Sequence, residues 1–151
     1  MQRFEPRNPA FAQRVRESFA RQQVMGTLGA RLTLVEPGVV EIELRFRQDL
    51  TQQHGFLHAG IIATICDSAC GYAAFTLMAA DASVLSIEYK INLLAPAQGE
   101  RFVARGSVTR PGRTITVTEG AVFAHERGTR KQVAAMQATM MTVRGREDIS
   151  E

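Results

Sequence analysis

The stretch QQHGFLHAGIIATICDSACGYAA, residues 52–74, decides the fold of this chain. It predicts a loop followed by a long helix from about Ala59 to Leu77. Between Ile61 and Ala80 the only charged residue is Asp67. A carboxylate near the centre of a membrane span would cost roughly 2.5 to 3.5 kcal/mol, and the stretch is rich in small residues rather than leucine. A helix buried inside the protein therefore fits better than a membrane span.

Sequence patterns on both sides of this helix predict an antiparallel sheet. Upstream, Asn8-Pro9 begins an amphipathic helix whose apolar stripe is Phe11, Val15 and Phe19. Alternating apolar and polar residues separated by turn sequences then predict six strands. Those strands are 29–35, 39–46, 85–93, 101–110, 114–125 and 131–143. The fold class is α+β, an antiparallel sheet wrapped around one long central helix with an additional N-terminal helix.

The third predicted strand has the most regular alternation. Leu85, Ile87, Tyr89, Ile91 and Leu93 are predicted to share one face, while Ser86, Glu88, Lys90 and Asn92 share the other. This pattern predicts a half-buried strand.

Length and charge favour one domain and a phosphorylated ligand. A chain of 151 residues is of common single-domain size and can bury a substantial core. We divide it into a helical segment 1–28 packed on the domain, a main domain 29–143 and a charged tail 144–151. Of the 18 cationic residues 16 are arginines, whose planar fork suits phosphate oxygens. No run of clustered basic residues interleaved with aromatics supports a nucleic-acid partner.

The cysteine and histidine content argues against disulfides and metal sites. Cys66 and Cys70 are four residues apart on the predicted helix, which suits two buried thiols better than a disulfide. Three histidines without a Cys-x-x-Cys pair do not make a metal site. The N-terminus lacks an apolar run of signal-peptide length, so we expect a cytoplasmic protein.

Asp67 has three readings. It could face solvent, or it could be buried against a backbone amide, since buried carboxylates require partners. The third reading is a general base or nucleophile at the floor of a cleft, where burial raises the pKa of the carboxyl. At the start of the same helix, the amides of His58, Ala59 and Gly60 lie where helix geometry leaves donors unpaired, so they can hold an anion or a developing oxyanion.

The distance between these two features predicts an assembly. Seven or eight residues of helix separate the amides from the acid by roughly 11 to 12 Å. One chain cannot bring both to a single carbonyl carbon. If both serve one reaction, two antiparallel helices from two chains must contribute, which predicts a symmetric homodimer with two sites.

Residues 52–74, the strand 85–96 and the turn 110–113 resemble the hotdog-fold acyl-CoA thioesterases of the phenylacetate-degradation (PaaI-like) type. The family's Gly-x-x-His-Gly-Gly loop, followed by an acid on the helix, reads here Gly55-Phe56-Leu57-His58-Ala59-Gly60 with Asp67. Ala59 stands where the family usually has glycine. An amide donates whatever its side chain, although the methyl group could narrow the acyl pocket.

The resemblance implies a role for each matching residue. Asp67 is expected to be the base or nucleophile, and the amide of Ala59, next to that of Gly60, to polarise the thioester carbonyl. Gln52 is expected to position the carbonyl or water, and Ser86 to orient water or the carboxylate. His58 supports the loop catalytically or simply caps the helix. Coenzyme A is expected near four residues: Pro96, Arg110, Gly112 and Arg113. Arg110 and Arg113 could equally be solvated turn charges.

The resemblance implies an acyl-CoA thioesterase acting on aryl- or medium-chain acyl-CoA. The alternatives are a non-catalytic acyl-CoA-binding protein and a hotdog hydratase or dehydratase. Coenzyme A enters as part of the substrate, so no separate cofactor and no metal is expected. The expected partners are the acyl-CoA and other copies of the chain, as a homodimer or a dimer of dimers, with no nucleic acid and no membrane.

Overall fold

The structure, a computed structural model, describes residues 4–149. The division into segments 1–28, 29–143 and 144–151 stays a prediction, and residues 1–3 and 150–151 lie outside the described part. The elements in chain order are helices α1 (Phe11–Arg21) and α2 (Gln23–Leu28), strands β1 (Arg31–Glu36) and β2 (Val39–Arg45), helix α3 (Ala59–Phe75), and strands β3 (Ser83–Leu93), β4 (Arg101–Arg110), β5 (Ile115–Glu126) and β6 (Thr129–Val143). In the described part, no helix is long and apolar enough to cross a membrane.

The six strands form one antiparallel sheet in the order β1-β2-β4-β5-β6-β3, and α3 packs against its inner face. Twelve of the seventeen residues of α3 are buried. The α+β class, the wrapped sheet, the central helix and the N-terminal helix are all confirmed. The observed ends of the sheet strands and of α3 differ from the predicted ends by no more than two residues.

Two glycines on neighbouring strands let the sheet approach α3 closely. Gly106 on β4 pairs directly with Gly120 on β5. A Cβ on Gly106 would lie 2.3 Å from the carbonyl of Ala69, and one on Gly120 would lie 2.5 Å from the Sγ of Cys66. Because real Cβ atoms do not make such contacts, these positions hold the helix in a groove that only glycine leaves open.

The face assignment predicted for β3 holds from Glu88 to Leu93 but is wrong before Glu88. The register between β3 and β6 shifts between Ser86 and Glu88, so Ile87 is an extra residue in a β-bulge. Ser86 pairs with Met140, and Tyr89 pairs with Ala138. Met140 and Ala138 are two positions apart on β6 and are both fully buried, so they share its helix-facing side. Ser86 therefore lies on the same side as Tyr89. Strict alternation had put them on opposite faces.

The prediction that β3 is half buried is also wrong within one chain. β3 is the last strand of the sheet, and Leu85, Ile87, Tyr89 and Leu93 are 39 to 56% exposed. Its outer edge forms no strand pairing within residues 4–149, so the described chain covers this exposed apolar row only in part.

A second short helix was not predicted. The backbone of Gln22 is extended, with φ −75° and ψ 97°, and it interrupts the helix between α1 and α2. Gly29 then ends α2 in the left-handed conformation, at φ 71°, which favours glycine.

Candidate active site

Asp67 lies on the side of α3 that faces the bulged part of β3. The Oγ of Ser86 donates a hydrogen bond of 2.7 Å to its Oδ1. Burial raises the pKa of Asp67, and the Ser86 hydrogen bond opposes part of that rise. The carboxylate therefore has a polar partner and is partly desolvated, which is the combination expected of a general base or nucleophile.

A cavity of about 280 Å³ opens beside this carboxylate. Helix α3 and strand β3 supply one wall of the cavity, and the N-terminal helix supplies the other. The lining residues are Ser18, Arg21, Gln22, Asp67, Ser68, Gly71, Tyr72, Val84 and Ser86. Asp67 is the only acidic residue among them.

The sequence interpretation missed Ser18, Arg21 and Gln22. A signal was present, because Ser18 and Gln22 continue the stripe of Phe11 and Val15 at helical spacing. Two polar residues on the face that packs against the domain indicate a polar space between α1 and α3.

His58 is the N-cap of α3. Its Nδ1 accepts a hydrogen bond of 2.9 Å from the amide of Gly60, and its carbonyl accepts from the amides of Ile61 and Ile62 at 3.0 and 3.2 Å. The amide of Gly60 is thus already paired. The amide of Ala59 makes no hydrogen bond within the described residues, so it remains the available donor at this helix start.

A second cavity, of about 490 Å³, lies at this end of α3. Gln52 and Ala59 line it together with Pro96, and most of the remaining wall is apolar. The other lining residues are Phe56, Leu57, Ile62, Leu93, Leu94, Ala95, Ala97 and Val133. The amide of His54 donates to Oε1 of Gln52, which leaves the side-chain nitrogen of Gln52 as a donor.

The two cavities share no lining residue. Asp67 and Ala59 are eight positions apart on one straight helix, which corresponds to about 12 Å. One chain therefore holds the acid with Ser86 and the amide with Gln52 in separate cavities, and we call these two candidate groups half-sites.

The four residues expected near coenzyme A are also divided. Pro96 lies in the Ala59 cavity, whereas Gly112 lines a separate cavity of about 260 Å³ with the N-terminal segment and the end of α3. Arg110 and Arg113 flank Gly112 on an exposed turn. A Cβ on Gly112 would lie 2.0 Å from the carbonyl oxygen of Ile115, so the tight turn accounts for this glycine.

Comparison with known proteins identifies the class. The family model of the thioesterase superfamily matches residues 54–131. A Saccharolobus solfataricus protein, provisionally described as an esterase, is 34% identical over 97 residues, 64% of this chain and 69% of that protein. The 1,4-dihydroxy-2-naphthoyl-CoA hydrolase of Listeria monocytogenes is 26% identical over 93 residues, 62% of this chain and 76% of the hydrolase.

Solved structures agree with the family match. A thioesterase family protein from Silicibacter pomeroyi has a TM-score of 0.88 and 54% identity, covering 89% of this chain and 99% of that one. The PaaI protein of Escherichia coli has a TM-score of 0.78 over 89% of this chain and 94% of its own, and at 16% identity it supports the fold alone.

The fold and the family match define a hotdog-fold thioesterase. The chain belongs to the thioesterase superfamily, as the family model and the Silicibacter pomeroyi structure establish. The expected hotdog fold and the expected enzyme class are confirmed.

Proposed function

We propose that the protein hydrolyses acyl-CoA thioesters of aryl or medium-length acyl groups, in sites that two copies of the chain build together. The observation that carries the proposal is the pair of unlike half-sites on α3. Asp67 with its Ser86 partner lies in one cavity, and the unpaired amide of Ala59 lies in another. Thioester hydrolysis requires both, because one group activates the nucleophile and the other stabilises the oxyanion.

In the proposed reaction the thioester carbonyl oxygen accepts a hydrogen bond from the amide of Ala59. Asp67 acts as a general base that removes a proton from water, or as a nucleophile. With Asp67 as base, the water oxygen bonds to the carbonyl carbon, and the carbonyl oxygen takes up the negative charge. The carbon–sulfur bond then breaks, the proton on Asp67 passes to the departing thiolate, and free acid and coenzyme A leave.

Gln52 and Ser86 are proposed to position the reacting groups. The side-chain nitrogen of Gln52 is free to donate to the carbonyl oxygen or to water, since its oxygen is held by the amide of His54. Ser86 fixes one carboxylate oxygen of Asp67, which leaves the other for water or for attack. His58 is proposed to act as the helix cap and not as a participant, because its ring is engaged with the amide of Gly60.

The second copy is proposed to pair along the free edge of β3. This edge carries the exposed apolar row, and strand edges with unpaired backbone groups readily accept another strand. An antiparallel pairing of the two β3 edges would bring the Ser86 end of one strand towards the Leu93 end of the other. Leu93 lines the Ala59 cavity, so this pairing would join the two unlike half-sites.

Coenzyme A is proposed to extend its pantetheine arm along the apolar cavity at Leu93 to Pro96. Its phosphates would then be met by arginines, with Arg110 and Arg113 as candidates because their guanidinium groups are exposed on the turn around Gly112. The two unoxidised cysteines fit a cytosolic location, which we also propose.

The test is thiol release from a panel of acyl-CoAs by the wild type and by the Asp67→Asn variant. We expect turnover by the wild type and a loss of about 100-fold or more in the variant, since a lost general base costs that much. Asp81→Asn is the matched control, because it removes a carboxylate that is exposed and pairs with Arg144 at 3.6 Å. Binding of acyl-CoA without turnover by the wild type would instead identify a non-catalytic binder.

A further inference from the structure

The wall of the Asp67 cavity that faces the carboxylate comes from the end of α1. Arg21 is the last residue of α1, and Gln22 is the residue that interrupts the helix. This wall carries hydrogen-bond donors and a positive charge, whereas the Ala59 cavity is mostly apolar. An acyl group that extends past Asp67 into this cavity therefore meets polar groups at its far end.

The side chain of Gln22 is oriented as a donor. Its Oε1 accepts a hydrogen bond of 3.3 Å from the Oγ of Ser68 on α3. The amide oxygen is thereby assigned, and the amide nitrogen is left to donate to whatever occupies the cavity.

Arg21 is an exposed arginine that lines the cavity. Within residues 4–149 its side chain forms no ion pair and no hydrogen bond, and the only acid that lines the same cavity is Asp67. The guanidinium is therefore available to a ligand.

We propose that the preferred acyl group carries a second carboxylate at its far end, which Arg21 and Gln22 bind, so that the substrates are monothioesters of dicarboxylic acids. The inference rests on the proposed function, because it assigns the Asp67 cavity to the acyl group. A guanidinium binds carboxylates through charge-assisted hydrogen bonds, and a primary amide adds a further donor. The products are a dicarboxylic acid and coenzyme A.

The test compares adipoyl-CoA with hexanoyl-CoA, which have the same chain length but differ in the terminal carboxylate. We expect the wild type to have the higher kcat/KM for adipoyl-CoA. The Arg21→Gln variant should lose about tenfold on adipoyl-CoA and little on hexanoyl-CoA, since a hydrogen bond to a charged group contributes about that much. Gln22→Leu should lower kcat/KM for adipoyl-CoA in the same selective way.

Arg16→Gln is the matched control for charge. Arg16 is an exposed arginine on the same helix and does not line the cavity, so its loss should leave the substrate ratio unchanged. Because the readout is a ratio between two substrates, a general loss of stability in any variant cancels.

A third substrate separates charge from polarity. Hydrolysis of 6-hydroxyhexanoyl-CoA as fast as adipoyl-CoA would overturn the inference, and so would equal losses on all substrates in Arg21→Gln. A wild type that prefers hexanoyl-CoA also overturns it while leaving the proposed thioesterase function intact. Absence of hydrolysis of every acyl-CoA tested would instead refute the proposed function itself.

Discussion

Two inactive chains should restore activity when they are combined, if each active site takes Asp67 from one chain and Gln52 from the other. The variants are Asp67→Asn and Gln52→Ala. In a dimer of the two, one site receives both substitutions, and the other receives an intact Asp67 and an intact Gln52. This outcome follows from the position of the two residues in separate cavities of one chain.

The size of the recovery follows from counting sites. Random exchange in an equal mixture makes half of the dimers mixed, and each mixed dimer has one intact site of two, so we expect about a quarter of the wild-type activity. Each parent should retain about 1% or less, since loss of a general base or of an oxyanion donor costs 100-fold or more. The recovery therefore stands well above the background.

The assay is thiol release from a mixture of differently tagged chains, co-purified on both tags to demonstrate exchange. A mixture of Asp67→Asn with Ser86→Ala is the matched control, because both residues belong to the same half-site and no mixed dimer regains an intact one. Doubly tagged dimers without recovered activity would refute the shared site. Equal recovery in the control pair would refute it as well.

Three further predictions concern the acid, the core and the thiols. Ser86→Ala removes the hydrogen bond that lowers the pKa of Asp67, so the pKa of Asp67 should rise further. The acidic limb of the profile of kcat/KM against pH should then move to higher pH. An unmoved limb would contradict the assignment of Asp67 as the base. Gly106→Ala should lower the free energy of unfolding by about 3 kcal/mol in denaturant titrations, because the new Cβ would meet the backbone of α3. Gly26 has open space around it, so the control Gly26→Ala should not destabilise the protein. The two cysteines are fully buried, and the Cys70 hydrogen bond together with burial raises the pKa of Cys66. Iodoacetamide should therefore label neither in the native protein and both after unfolding, and rapid native labelling would show that α3 is less tightly packed than described.

The elements with strong local signals could be predicted from the sequence. Residues 52–74 predict α3 because the run of small and apolar residues after the loop contains no proline and is too long for a single strand. The strand β4 was predicted with its correct ends and inward face, since Phe102 and Ala104 alternate with arginines. Such patterns are local, so they can be recognised without knowledge of the tertiary contacts.

Features that depend on distant contacts could not be predicted. The bulge at Ile87 is invisible in a strand whose apolar residues alternate without a break, because it is set by the pairing with β6. The contact of Gln22 with Ser68 joins residues 46 positions apart. Asp67 was predictable as a candidate because it is a lone acid in an apolar helix, but its cavity wall from α1 was not.

The placement of two unlike half-sites on one helix has a genetic consequence under the shared-site model. After a gene duplication, one copy can lose Asp67 and the other Gln52, and a mixed pair still keeps one complete site. Each copy then depends on the other for activity. The site that carries both substitutions is no longer under selection for hydrolysis, so it can acquire a different ligand. A homodimeric enzyme can in this way become an obligate heterodimer with one catalytic and one regulatory cleft.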